Sequence, residues 1–152
     1  MKPNFLFVVT LVVVLVAGCS PTPKSGKGFT LPEGNLAQGE ETYVRLQCNT
    51  CHTIDGVEQL AGDGETLDLS VALGGEVARI KTYGELVTAI INPSHQLARG
   101  YSEQLVSVDG ESKMRNYNDV MTVTELTDLV AFLQSKYSLF EYEPTDYPMY
   151  SL

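Results

Sequence analysis

The 152-residue chain is short of basic side chains: ten Lys and Arg stand against nineteen Asp and Glu, a formal charge of −9. That balance excludes nucleic acid as a partner, because binding it needs a basic face that neutralises phosphates. It does not exclude a membrane-attached protein whose contact is a lipid. Soft metal ligands are scarce as well, with three cysteines (Cys19, Cys48, Cys51) and two histidines (His52, His95). The apolar run from Phe5 to Ala17 is thirteen residues broken only by Thr10, short of the roughly 20 that a bilayer-spanning helix needs. The sequence has no internal repeat, and its length suits one domain once flexible ends are set aside.

What the N-terminus does have is the pattern of an export signal: Lys2, a short apolar stretch, then small residues. The run ends Val16-Ala17-Gly18-Cys19, which resembles the lipobox of bacterial lipoproteins. The resemblance implies a signal peptide over 1–18, cut before Cys19, and a lipid on Cys19. Ser20 after the cysteine then implies sorting to the outer membrane, facing the periplasm, in a host with two membranes. An odd thiol in an exported protein needs a use; a lipid on Cys19 and a shared role for Cys48 and Cys51 account for all three.

From Ser20 to Gly34 the residues SPTPKSGKGFTLPEG are dominated by Pro, Gly, Ser and Lys. They predict a flexible linker over 19–34, whose fifteen residues from Ser20 span at most about 50 Å. The folded domain is expected over 35–137. Asn35 with Gln38 resembles a capping box and opens a helix running into Cys48; Gly39 and Tyr43 share one face, the glycine predicting close approach of another helix. Residues 52–75 predict a glycine-rich loop. Its acids Asp63, Glu65 and Asp68 lack the full ligand spacing of an EF-hand, so a solvated loop is the expectation. Thr82 with Glu85 opens a second helix, with Leu86, Ala89 and Ile90 on one face and Pro93 as its stop. A turn is expected at Asp109-Gly110. Thr122 with Glu125 opens the clearest helix, where Leu126, Leu129, Val130, Leu133 and Tyr137 recur at helical spacing. The tail, 138–152, is acidic, aromatic and broken by Pro144 and Pro148.

Within this frame stands Cys48-Asn49-Thr50-Cys51-His52, which has three chemical uses. A redox dithiol belongs between a strand and a helix, but no strong strand pattern precedes Cys48. A structural zinc site needs four protein ligands, and only His95 remains beyond the run itself. The third use is covalent haem attachment: two thiols add to two vinyl groups at the macrocycle edge, and the next residue offers its imidazole to the iron. Maturation outside the cytoplasm fits the export signal. A second axial ligand is needed, Met or His in electron carriers. Met121 abuts the last helix as a core residue would, and Met149 lies in the tail. Met114 sits in the polar segment SKMRNYND, odd as packing and reasonable as a ligand; His95 is the alternative.

The helix with Gly39 and Tyr43, the run Cys48–His52, ELVTAIINP and MRNYNDVMTVTELTDLVAFL together resemble class I monohaem c-type cytochromes. They are similar in particular to the cytochrome c domain of bacterial terminal-oxidase subunit II. The resemblance covers about Asn35 to Tyr137. It implies an all-α, cytochrome c-like fold: three main helices plus loops wrapped around one covalent haem c. It implies thioethers at Cys48 and Cys51, with His52 and Met114 as axial ligands of the iron. It also implies that the first and last helices cross, Gly39 and Tyr43 against the Leu126–Phe132 face. Two departures stand out. Arg115 follows the methionine where the family often has proline, and AGDGETLDLS has no proline to supply the carbonyl that orients the proximal imidazole. Some other carbonyl must serve His52.

The function so implied is electron transfer without substrate turnover, by a membrane-tethered carrier whose acidity suits a redox partner with a basic docking face. The alternatives are a haem-bearing subunit of a larger oxidase or dehydrogenase, and a haem-based gas sensor. Arg79, Arg99 and Arg115 are candidates to pair with haem propionates.

Overall fold

The computed structural model describes residues 26, 28–60 and 70–141. The expected signal peptide, Cys19, the acids at 63, 65 and 68, and the tail from 142 onward lie outside the described residues.

Helix α1 runs Leu36–Arg45 and is capped by Asn35, whose side chain accepts from the N–H groups of Ala37 and Gln38. The reciprocal half of the expected box is absent. Gln38 turns to Glu41, and the N–H of Asn35 donates instead to Asp128 Oδ1 at 2.7 Å, from 93 residues away. The cap is thus completed by the last helix. Helices α2 (Tyr83–Ile91) and α4 (Val123–Ser135) each carry a full capping box, Thr82 with Glu85 and Thr122 with Glu125, satisfying two N-terminal donors reciprocally. Asn92 caps the C-terminus of α2, and Pro93 opens a 3-10 turn to His95. A one-turn helix α3 spans Glu103–Val106.

The core lies where α1 and α2 meet α4. Tyr43, Ile54, Leu86, Val87, Ile90, Leu129, Val130, Phe132 and Leu133 are buried together. On α2 it is Val87 rather than the expected Ala89 that is buried, and Ala89 is exposed. The α1–α4 crossing is close because two glycines permit it. A methyl carbon added at Gly39 would fall against the Asp128 carbonyl oxygen and 2.6 Å from Phe132 Cβ; one at Gly34 would fall 2.6 Å from Thr127 O. The Tyr43 and Phe132 rings meet tilted with centroids 5.8 Å apart, and the Lys136 ammonium lies 4.8 Å from the Phe132 centroid. Burying a large apolar side chain of this kind stabilises the fold by about 1.5–3 kcal/mol.

Among the described residues three short ladders tie the loops to this core, and the expectation of an all-α chain did not contain them. Strand β1 (His52–Thr53) pairs in parallel with β2 (Val71–Ala72), and β3 (Gly75–Val77) in parallel with β6 (Tyr137–Leu139). Strands β4 (Ser107–Val108) and β5 (Glu111–Ser112) form a hairpin. Its two turn residues, Asp109 at φ 52° and Gly110 at φ 82°, have the positive angles that match strand twist in a tight hairpin. The described architecture is therefore mixed, with helices in the core and paired strands at its margins.

Leu31 and Gly34 pack on the core and on α4. Tyr137 leaves the helix to begin β6, which continues through Leu139.

Candidate functional site

Helix α1 stops because Gln47 turns left-handed, at φ 56°, a conformation uncommon outside glycine. A 3-10 turn, Cys48–Thr50, follows at once, held by Thr50 N–H and Oγ1 on Gln47 O and by Cys51 N–H on Cys48 O. Cys48 opens the turn and Cys51 closes it as the C-cap, three residues on. Both are free thiols and half-buried. Burial pushes the Cys48 thiol up to about 11. Between them Asn49 points inward, 3% exposed, its side-chain amide donating to Glu58 O and its backbone carbonyl accepting from Leu60 N–H. Those bonds hold the 54–60 loop beneath the turn.

His52 follows in β1, and the β1–β2 ladder decides its orientation. Val71 N–H donates to Cys51 O at 2.9 Å and Leu73 N–H to Thr53 O at 2.8 Å. The register brings Val71 opposite His52 and sets the Val71 carbonyl 3.3 Å from His52 Nδ1. With Nδ1–H donating there, Nε2 keeps its lone pair. Burial lowers the pKa of the imidazole, against the opposing effect of the Val71 carbonyl, and so favours the neutral, ligating form. The backbone oxygen of His52 accepts from the Tyr43 phenol at 2.9 Å. Burial, with the Cys48 charge second, holds that phenol well above its ordinary pKa, so it stays a donor.

Met114 lies just beyond the β4–β5 hairpin, half-buried, its N–H on Ser112 Oγ. The hairpin is held in turn by Ser112 N–H on Ser94 Oγ. Three residues after Met114, the Tyr117 phenol donates to Leu46 O at 3.0 Å, across 71 residues. This bond ties the Met114 segment to the backbone two residues before Cys48. Tyr117 was missed from sequence; the only trace was one aromatic in an otherwise polar stretch.

The remaining candidates fall as follows. His95 is exposed at the end of its 3-10 turn. Met121 packs against the core. Arg79 does not await a partner: its guanidinium forks onto Glu85 at 2.7 and 2.8 Å. Arg99 and Arg115 are exposed. Met149 and Cys19 lie outside the described residues. Among the described residues no three His, Cys, Asp or Glu side chains converge as ligands of one ion.

The donor set fits a covalently held haem. Two thiols bracket one turn, the adjoining imidazole has Nδ1 engaged by the Val71 carbonyl, and a half-buried thioether sits on a segment bonded back to the backbone just before that turn. No protein-family model, curated protein or solved structure matches this chain.

Proposed function

We propose that the protein is a membrane-tethered monohaem cytochrome c that passes single electrons between respiratory-type redox partners. The observation that carries this reading is the turn-and-ladder unit at Cys48–His52. It offers two thiols bracketing one turn, then an imidazole held through Nδ1 by the Val71 carbonyl. Cys48 and Cys51 would hold one haem c by thioethers, and His52 Nε2 and Met114 Sδ would take its two axial positions. Bound there, the group supplies reversible one-electron chemistry at iron.

The chain's own part is positioning. Val71 fixes the plane and tautomer of His52, Tyr43 fixes its backbone, and burial favours the neutral imidazole. If His52 and Met114 both served as ligands of the iron, the arrangement would favour a carrier over a gas sensor or an enzyme. The helices meeting at Gly39 and Tyr43 are read as a cytochrome c-like fold with loops carried on its surface. The lipid on Cys19 would keep the domain at a bacterial outer membrane facing the periplasm, and the charge of −9 suits a partner with a basic docking face, in an association that salt weakens.

The test is the absorption spectrum of the exported protein, oxidised and reduced, in wild type and Met114→Ala. Expected are haem c bands in both, with the weak long-wavelength methionine–iron band in wild type alone, and carbon monoxide binding readily only to the variant. Absence of haem c bands from wild type, or ready carbon monoxide binding by wild type, overturns the proposal.

A further inference from the structure

Only one hydrogen bond among the described residues joins the Met114 segment to the Cys48–His52 side of the molecule. The other tethers of residues 112–121 run elsewhere. Lys113 N–H goes to Val106 O, Met114 N–H to Ser112 Oγ, Ser112 N–H to Ser94 Oγ, and Asn118 Nδ2 to Ile91 O. These bonds fasten the segment to the hairpin, the Pro93–His95 turn and the end of α2. The exception is the Tyr117 phenol on Leu46 O. Both partners are buried, each at 9% exposure, so water does not compete for either.

The acceptor is well placed for this use. Leu46 is the residue at which α1 ends, and carbonyls at a helix C-terminus lack intrahelical partners. The same backbone then passes through left-handed Gln47 into the thiol-bearing turn. Tyr117 itself is fixed from its other side, since its carbonyl accepts from the N–H groups of Val120 and Met121 at 3.0 Å. Met121 in turn packs on the core. The tyrosine is thus a rigid strut between the frame that carries His52 and the segment that carries Met114.

We propose that Tyr117 is a positioning residue: its hydrogen bond to Leu46 O holds the Met114 segment in register with the Cys48–His52 turn and so sets how firmly Met114 is retained as an iron ligand. This rests on the reading of Met114 as that ligand. Losing the bond frees the segment on one side while leaving its hairpin tethers intact. The segment then swings away at lower cost, and an added ligand displaces the methionine more readily. A net hydrogen bond of this kind changes an equilibrium roughly two- to tenfold.

The experiment titrates imidazole into the oxidised, haem-loaded full chain and follows loss of the methionine–iron band. It compares wild type, Tyr117→Phe and Lys113→Ala, with global unfolding in denaturant measured beside it. Tyr117→Phe keeps the ring and deletes only the donor. Expected is a two- to tenfold tighter apparent imidazole affinity in Tyr117→Phe and an unchanged one in Lys113→Ala, whose ammonium merely reaches Gln104 O. An imidazole affinity in Tyr117→Phe equal to wild type, whatever the fall in global stability, makes Tyr117 merely structural and overturns the inference. So does an equal shift in Lys113→Ala, since any loosening would then suffice. A wild type that lacks the methionine–iron band overturns the Met114 reading itself, and the inference with it. That result is distinct from a wild type with the band and an unresponsive Tyr117→Phe.

Discussion

Replacing Gly39 by alanine tests the helix crossing on which the site is hung. In an exposed helix interior this change stabilises, by about 1 kcal/mol of propensity. At Gly39 the new methyl meets the Asp128 carbonyl oxygen and comes within 2.6 Å of Phe132 Cβ. Carbon atoms pack best at about 3.5–4.0 Å, so α1 must retreat from α4 by roughly 1 Å. The neighbour is backbone, and no side-chain rotation relieves the clash. Retreat also loosens the Tyr43–Phe132 contact and the Asn35–Asp128 bond. Overpacking of this kind costs about 1–3 kcal/mol, and with two further contacts at stake the upper end applies. Less the propensity gain, the net loss is about 1–2 kcal/mol, a fall in Tm of roughly 5–15 °C for a domain near this size. Gly84 provides the internal control. It lies in α2 with nothing within 4 Å of an added methyl, so Gly84→Ala raises Tm by a few degrees at most. Thermal unfolding of the haem-loaded chain, followed by circular dichroism, decides. A Gly39→Ala protein as stable as wild type, or the two variants moving in the same direction, refutes the close crossing.

Other outcomes follow from the same structure. The Arg79 guanidinium, then the Thr82 backbone N–H, hold the Glu85 carboxyl at about 2, below an ordinary value of 4.5. A depressed carboxylate stabilises above its unfolded pKa and loses that contribution as pH falls through the folded one. The stability difference between wild type and Glu85→Gln should therefore hold at neutral pH and shrink from about pH 4.5 to about pH 2; a difference constant over that window refutes it. Tyr43→Phe leaves the half-buried His52 carbonyl without its phenol donor and should cost about 1–3 kcal/mol in denaturant unfolding; an unchanged midpoint shows that the bond does not contribute. Cys19→Ser should shift the haem-loaded protein from the membrane to the soluble fraction of fractionated cells, and retention in the membrane removes Cys19 as the anchor.

How far the sequence could be read depended on distance along the chain. The boxes at Thr82–Glu85 and Thr122–Glu125 and the turn at Asp109-Gly110 are local chemistry, completed within three residues, and the structure has them where the residues predict. Gly39 and Tyr43 were legible as a contact face because a glycine inside a helix is costly without a reason. At Asn35 the local signature misled. Its reciprocal partner is Asp128, beyond any local window, and Gln38 was only the nearer candidate. The ladders escaped because strands of two or three residues are too short to show alternation. The Val71 carbonyl escaped for a deeper reason: a backbone acceptor can come from any residue, so position alone selects it, and position is a property of the β1–β2 register. Tyr117 and Leu46 are separated by 71 residues, and nothing local to either announces the other. The candidate ligands stand out in the sequence by their chemistry alone, and the groups that orient them do not.

The docking of the entering chain on the last helix has a mechanical meaning. The chain enters past Leu31 and Gly34 against α4, Asn35 bonds to Asp128, and α4 runs on directly into the strand that pairs with Gly75–Val77. A pull on the entering segment is met first by the α1–α4 seam, where Gly34 and Gly39 let the backbones approach closely. The Cys48 turn and the Met114 segment lie in the loops between those ends, off the line of load. A domain built this way can be towed by its N-terminus while the geometry at His52 is left unstretched.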